Sequence, residues 1–388
     1  MSEKDIIIKL QQNIAIPDIV QEKATLTLQQ IQSERTHKTM QKGNRKWKTI
    51  WLPIAAAVLV LGTTVCAAVY AQWSKGLETR LQITEEQKET LEETQVAAPV
   101  NDSVTEQNIT VTAMQTIVDS HFAYLAFKVD GYNVAEGVQP DFESMTIEIG
   151  GNNEYNLLMG HFFDGLQLDN SGNFTYLDGS PAKETANGSI IGRYMDESGS
   201  MEYTMLLMTV NDEDSFVGKP LHLELHNLGT VDKAVFTPDI SATWAFDFTL
   251  QGSNQIRACK LSEALGGSGA TVTHAEISPI SLYVTYDMPL QMTEIDGVDE
   301  NGKAINSSTF VEAPHLTGVR LKDGTLLTGI TDGGSEGYSD DSTELYQAVF
   351  ATRSIIEPEQ VDALLFIKSY PKGNTPLTED NLYIVPVE

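Results

Sequence analysis

Between Ile50 and Ala71 the chain reads IWLPIAAAVLVLGTTVCAAVYA, 22 residues without a single charge. As a helix this run reaches about 33 Å, the depth of a bilayer's hydrocarbon core, and it predicts a transmembrane helix over residues 49–72. Charge divides sharply around it. As far as Lys48 there are nine Lys and Arg against five Asp and Glu, and beyond it 16 against 49. A basic approach places the amino terminus in the cytoplasm and the long acidic part outside the cell membrane. Trp47, Trp51, Tyr70 and Trp73 stand at the two ends, where amphipathic rings favour the interface. The basic region and the apolar run are both too long for a cleaved signal peptide, and the bulky Val65 before Cys66 disfavours a lipoprotein signal. The expected object is a single-pass membrane protein.

The formal charge of −29 excludes direct nucleic-acid binding by the outer part, because it repels phosphate. There are two cysteines, Cys66 inside the apolar run and Cys259 far beyond it. They cannot pair without drawing the membrane helix into the outer part, so neither a disulfide framework nor a Cys-x-x-Cys zinc site is available.

Residues 1–48 read as a short helical cytoplasmic tail. Pro17 suits a helix start, and Ile16, Val20, Ala24, Leu28 and Ile31 then fall on one face at helical spacing. The stripe is either the weak amphipathic face of a partly ordered tail or a docking surface for a cytoplasmic protein. Gly62, Thr63 and Thr64 inside the span read as small-residue helix packing, or as a place for an intramembrane protease to unwind.

Residues 73–100 predict a juxtamembrane helix that ends as a stalk or lies against the first domain. A single helix is expected over Gly76–Gln95, with Leu77, Leu81 and Leu91 as its apolar points and Thr84 with Gln87 as a capping box. From Asn101 the texture is mainly β. Ile109–Ala113, Phe122–Val129, Met145–Ile149, Leu221–Leu225 and Trp244–Leu250 read as strands, most with period-two alternation, punctuated by Asp130-Gly131, Asp178-Gly179 and Asn187-Gly188. Trp244, Phe246 and Phe248 are core candidates. The triplet TVT at Thr110–Thr112, followed by Tyr124 and Phe127, recurs at Thr271–Thr273, followed by Tyr283 and Tyr286. This echo predicts two β-sandwiches, 101–254 and 255–388, divided near Gln251–Asn254. Strands of the second are expected near Ile256–Leu261, Ser281–Asp287, Leu345–Ala351, Ala363–Tyr370 and Leu382–Val387.

Few constellations invite chemistry. His222, Glu224 and His226 share one face of a strand and could ligate a metal, but a solvated sheet face has the same composition. Asp169, Ser171 and Asn173 resemble the start of a calcium loop, with Phe174 where the sharp turn needs Gly. The acidic stretches Asn211–Asp214 and Asp332–Asp341 are rich in oxygen ligands and could bind calcium, but read as solvated loops. No nucleophile elbow, P-loop, dinucleotide fingerprint or zinc-protease helix is present, so neither an enzyme nor a cofactor is expected.

The basic tail and anchor, the run KGLETRLQITEEQKETLEE and the stretch SVTEQNITVTAMQTIVDSHFAYLAFKV resemble the domain-of-unknown-function family DUF4179 of Gram-positive bacteria. The second block resembles the immunoglobulin-like domain often found after it. The resemblance implies two tandem immunoglobulin-like sandwiches outside the membrane and a likeness to transmembrane anti-sigma factors. In these the tail holds an extracytoplasmic-function sigma factor while the outer part senses the cell envelope or an extracellular ligand. The tail here lacks the His and Cys spacing of the zinc-binding anti-sigma type. The alternatives are a membrane-anchored adhesion or ligand-binding module without a signalling role, and a structural subunit of an envelope complex.

Overall fold

Antiparallel strands make up most of the chain seen in the computed structural model, which describes residues 73–153, 155–169, 172–185, 188–210, 215–298, 304–339, 343–371 and 376–387. The docking stripe Ile16, Val20, Ala24, Leu28 and Ile31, the apolar run Ile50–Ala71 and the stretch Asn211–Asp214 lie outside these residues. Among the described residues no helix is long and apolar enough to cross a membrane. The described chain is mainly β, with two helices, α1 (Lys75–Arg80) and α2 (Glu85–Glu93), ahead of the strands.

Ten strands follow as a first lobe: β1 (Ala97–Glu106), β2 (Ile109–Val118), β3 (Phe122–Asp130), β4 (Gln139–Ile149), β5 (Asn156–Phe162), β6 (Leu166–Leu168), β7 (Phe174–Tyr176), β8 (Met201–Met208), β9 (Pro220–Asp232) and β10 (Val235–Thr249). They form one sheet in the order β1-β2-β3-β8-β5, a second in the order β10-β9-β4, and a β6–β7 hairpin. The two sheets share a core in which Val111, Phe127 and Tyr203 from the first meet Leu223, Leu225, Trp244 and Phe246 from the second. The Trp244 ring is fully buried and donates its Nε1–H to the Ile109 carbonyl at 3.2 Å. Phe248 is half-buried against the same core.

The second lobe contains β11 (Arg257–Ala264), β12 (Thr271–Ile277), β13 (Ser281–Asp287), β14 (Met292–Val298), β15 (Ala304–Phe310), β16 (Leu316–Leu321), β17 (Leu326–Thr328), β18 (Thr331–Tyr338), β19 (Leu345–Thr352), β20 (Val361–Ile367) and β21 (Leu382–Pro386). Its sheets run β11-β12-β13-β19-β18 and β17-β16-β20-β21, with a β14–β15 hairpin. Apart from the short strand β17, the second lobe repeats the strand order of the first. The repeated TVT triplets occupy equivalent places, in β2 and β12, the second strand of each five-stranded sheet.

Three expectations need correction. The single helix over Gly76–Gln95 is broken after Leu81, because Gln82 takes a left-handed φ of 50° and Thr84 then caps a new helix. The expected stalk ends before Val100. Val96, Ala97 and Ala98 are buried, and β1 starts at Ala97 by pairing with β2. The stretch from Asp332 is not a solvated loop as far as Tyr338. It is edge strand β18, paired with β19 after a register shift between Thr331 and Gly334.

Candidate functional site

The helices that follow the apolar run are fastened onto the two β lobes by their own sequence. Ser74 caps α1, its Oγ accepting the Leu77 N–H at 3.2 Å, and its hydroxyl donates to Glu202 Oε2 at 2.7 Å. The Glu202 carboxylate also accepts the N–H groups of Lys75 (3.0 Å) and Gly76 (2.9 Å), placing negative charge at the helix start from strand β8. Gly76 permits this close approach, since a Cβ there would stand 2.9 Å from Thr204 Cγ2 and 3.3 Å from Phe163 Cβ. The capping box at Thr84 and Gln87 opens α2, as the sequence led us to expect. Lys88 of α2 then ties the helices together, 3.0 Å from Glu78 and 2.7 Å from Glu85. Burial pushes the Glu78 carboxyl up, but hydrogen bonds from Lys75 and Lys88 outweigh it and hold the pKa below the usual value. Trp73 donates its Nε1–H to Glu92 at 2.7 Å, joining the residue before α1 to the end of α2.

The apolar faces of both helices are entirely covered. Leu77, Leu81 and Leu91 belong to a third core, shared with Ile117, Phe122, Tyr124, Leu206 and Met208 of the first lobe and Ile280, Tyr283, Val349 and Ala351 of the second. The two five-stranded sheets thus meet across their outer faces, with the helices wedged against them. The sequence echo acquires a meaning here. Phe127 and Tyr286 point into the cores of their own lobes, whereas Tyr124 and Tyr283, three residues earlier, turn to the junction.

Polar groups are buried in the same seam. Asp119 is 1% exposed and accepts the hydroxyls of Ser278 and Ser281 from the second lobe, together with the N–H groups of His121 (2.9 Å) and Phe122 (2.7 Å). His121 stacks on Tyr283 at 4.9 Å between centroids and lies 3.6 Å from Glu276. The His121 hydrogen bond does most to lower the Glu276 pKa; burial opposes it and His274 assists. At the far end of α1, Arg80 meets Asp332 at 2.6 Å, and Arg353 approaches the same carboxylate at 3.3 Å. The linker is pinned as well. Ser253 donates its N–H to the Val118 carbonyl at 3.2 Å, and Ser120 donates its hydroxyl to Asn254 at 3.2 Å.

Two of the clefts that flank the helices also reach the second lobe. One, about 830 Å³, opens beside α1 between Arg80, His161, Phe174, Asp332 and Arg353. Burial and then the nearby Arg80 charge push the His161 pKa down, against the opposing pull of Asp164. The other, about 560 Å³, lies between α2 and the second lobe.

The residues singled out in the sequence lie elsewhere. His222, Glu224 and His226 do share the exposed face of β9, but they are engaged across the sheet. His222 pairs with Asp247 at 2.9 Å, and His226 bonds Thr146 at 3.0 Å and Thr243 at 3.1 Å. Asp169 and Asn173 close the β6–β7 turn, the Asn173 N–H reaching Asp169 Oδ1 at 2.9 Å. Among the described residues no group of three or more His, Cys, Asp or Glu is arranged to hold a metal ion. Cys259 is buried and free. Composition gave no sign of the Asp119 cluster, because Asp-Ser-His between two strands reads as an ordinary turn. A signal was nevertheless present. The runs FAYLAF, YTMLLM, SLYVTY and YQAVFA lack period-two alternation, the mark of strands buried on both faces.

Residues 42–131 match the family described as Domain of unknown function (DUF4179), the family to which the sequence pointed. The matched segment contains α1, α2 and β1–β3, and therefore Asp119 and His121, while Ser278 and Ser281 lie beyond it. No curated protein matches the chain. Among solved structures, the crystal structure of the conserved domain protein from Bacillus anthracis is similar at 10% identity and a TM-score of 0.38, covering 76% of this chain and 87% of that one. At that score the likeness has no weight for fold or function.

Proposed function

We propose that this chain is a single-pass membrane regulator resembling an anti-sigma factor, with a cytoplasmic tail that binds a sigma factor and an outer part that senses the envelope. The observation that carries the proposal is the junction. The helices that follow the apolar run are not a loose tether but part of a core shared by both lobes. Any change in how the lobes meet must therefore be felt by α1 and α2, and through Trp73 and Ser74 by the anchor that precedes them. In this reading Ile50–Ala71 crosses the bilayer with the amino terminus inside, and Ile16, Val20, Ala24, Leu28 and Ile31 form the stripe that enters the partner's groove. We further infer that each lobe is an immunoglobulin-like sandwich. Strand order supports this: β2-β3-β8-β5 faces β4-β9-β10 as strands A-B-E-D face C-F-G in that architecture. The second lobe follows the same scheme, and among the described residues neither lobe has a tryptophan on the strand equivalent to C or a disulfide.

The test is capture of cytoplasmic proteins by the full chain in lipid nanodiscs. A sigma factor should be retained by the unaltered chain and lost with Val20→Asp and Leu28→Asp. Retention despite both changes, or the absence of any sigma factor, would leave an anchored ligand-binding module. That second reading draws support from the two clefts beside the helices.

A further inference from the structure

The cleft between α2 and the second lobe has a lining that specifies a kind of ligand. Its apolar walls come from the half-buried Pro279, Ile355 and Pro358 of the second lobe, with the buried Leu91 of α2 and Ile356 behind them. Its volume, about 560 Å³, falls within the range of small-molecule sites, about 300 to 1,000 Å³. Leu91 belongs to the junction core and Ile356 to the core of the second lobe, so the cleft runs along the seam between the two. The polar part of the lining is asymmetric in charge. Arg257 lines the cleft, but its guanidinium is taken up by the carbonyls of Pro358 (3.1 Å), Val361 (2.5 Å) and Val387 (2.6 Å). Glu357 and Glu359 line it too, are exposed, and make no ion pair with a described residue. On the helix side Gln87, Thr90 and Thr94 add only neutral polarity.

An anionic head group would meet two carboxylates and an arginine already engaged. A cationic one would find both carboxylates available, in a chain whose formal charge is −29. We propose that this cleft binds a small cationic amphiphile, its apolar body against Pro279, Ile355 and Pro358 and its positive head between Glu357 and Glu359. A ligand seated there touches α2 on one side and the second lobe on the other. Occupancy thus bears directly on the wedge of helices, and the proposal rests on the sensing reading only for that consequence.

The experiment is photolabelling of the full chain in lipid nanodiscs, followed by peptide mapping. The probes are decyltrimethylammonium and decyl sulfate, each with a diazirine at the end of its chain. The cationic probe should label the segments 87–94 and 355–359, with a yield about fivefold above that of the anionic one, as two exposed charge contacts allow. Glu357→Lys with Glu359→Lys should remove that preference without changing the melting temperature, and Thr90→Trp should block labelling by either probe. Equal yields from the two probes, a preference that survives charge reversal, or adducts confined to Ile50–Ala71 would overturn the proposal. Labelling is independent of sigma-factor capture, so the cleft can stand if the regulator reading falls, and the reverse.

Discussion

The first lobe contains two sheets of the same strand chemistry and opposite fates. In the three-stranded sheet, β9 and β10 alternate. Leu221, Leu223, Leu225, Trp244 and Phe246 face the core, while His222, Glu224, His226 and Asp247 face outward. In the five-stranded sheet, β3 and β8 are buried almost throughout, because one face meets the lobe's core and the other meets the helices and the second lobe. The three-stranded sheet presents one cluster of His and carboxylates, and the β2–β3 turn, with β12 of the second lobe, another, and burial separates their meanings. The outward cluster pairs within its own sheet, in water. Asp119 bonds across the two lobes with 1% of its surface exposed. Identical residue types thus decorate a surface in one place and fasten a junction in the other.

The largest expected effect probes what the two sheets hold in common. Trp244 stands on the core side of β10 with no exposure, so Trp244→Ala should destabilise the first lobe by about 3 to 5 kcal/mol in urea unfolding. A loss under about 1 kcal/mol would mean that the two sheets do not depend on a shared core.

Asp119→Ala tests the contrast directly. It would remove the acceptor shared by two hydroxyls and two backbone N–H groups in a buried seam, and the expected loss is about 3 kcal/mol. If the change were as mild as one on the outer face, the junction would not be the fastening described.

Asp141 is an exception on the three-stranded sheet, a half-buried carboxylate whose pKa burial pushes up to about 6. Folding then disfavours its ionised form, a penalty absent below the ordinary value of 3.8 and complete above about 6. Asp141→Asn should therefore stabilise at pH 7.5, by about 1 kcal/mol once its partial exposure is discounted. Thermal melts should show that gain shrinking as pH falls from 6 towards 4, and a gain independent of pH would refute the assignment.

A smaller effect separates the clusters by the sign of their pH dependence. The lowered pKa of Glu276 gives a contribution present above its ordinary value of 4.5 and lost as pH falls through the depressed value. Glu276→Gln should flatten the acid limb of the stability profile measured from pH 5 to pH 3. His222 behaves oppositely. The Asp247 hydrogen bond raises its pKa, so its contribution is present below 6.5 and lost as pH rises through the raised value.

Smallest of all is Glu224→Gln on the outer face, expected to change stability by less than about 0.5 kcal/mol. A loss above about 2 kcal/mol would show that this face is covered in the working molecule.

What the sequence determined alone was local and one-sided. The alternation of β4, β9 and β10 named their buried residues, Thr84 and Gln87 marked a helix start, and the repeated TVT located equivalent strands in both lobes. Such patterns are legible because side-chain direction follows backbone period, and one face in water leaves a period-two trace. The junction left no comparable trace. A strand covered on both faces loses its alternation, so β3, β13 and β19 read as strands without revealing what covers them, and β8 is not read as a strand at all. Nor could spacing join Asp119 to Ser278 and Ser281, which lie 159 and 162 residues further on. Asp332 in an edge strand and Glu202 capping α1 were decided the same way. Each depends on a neighbour supplied from far along the chain, and only the packed structure brings it near.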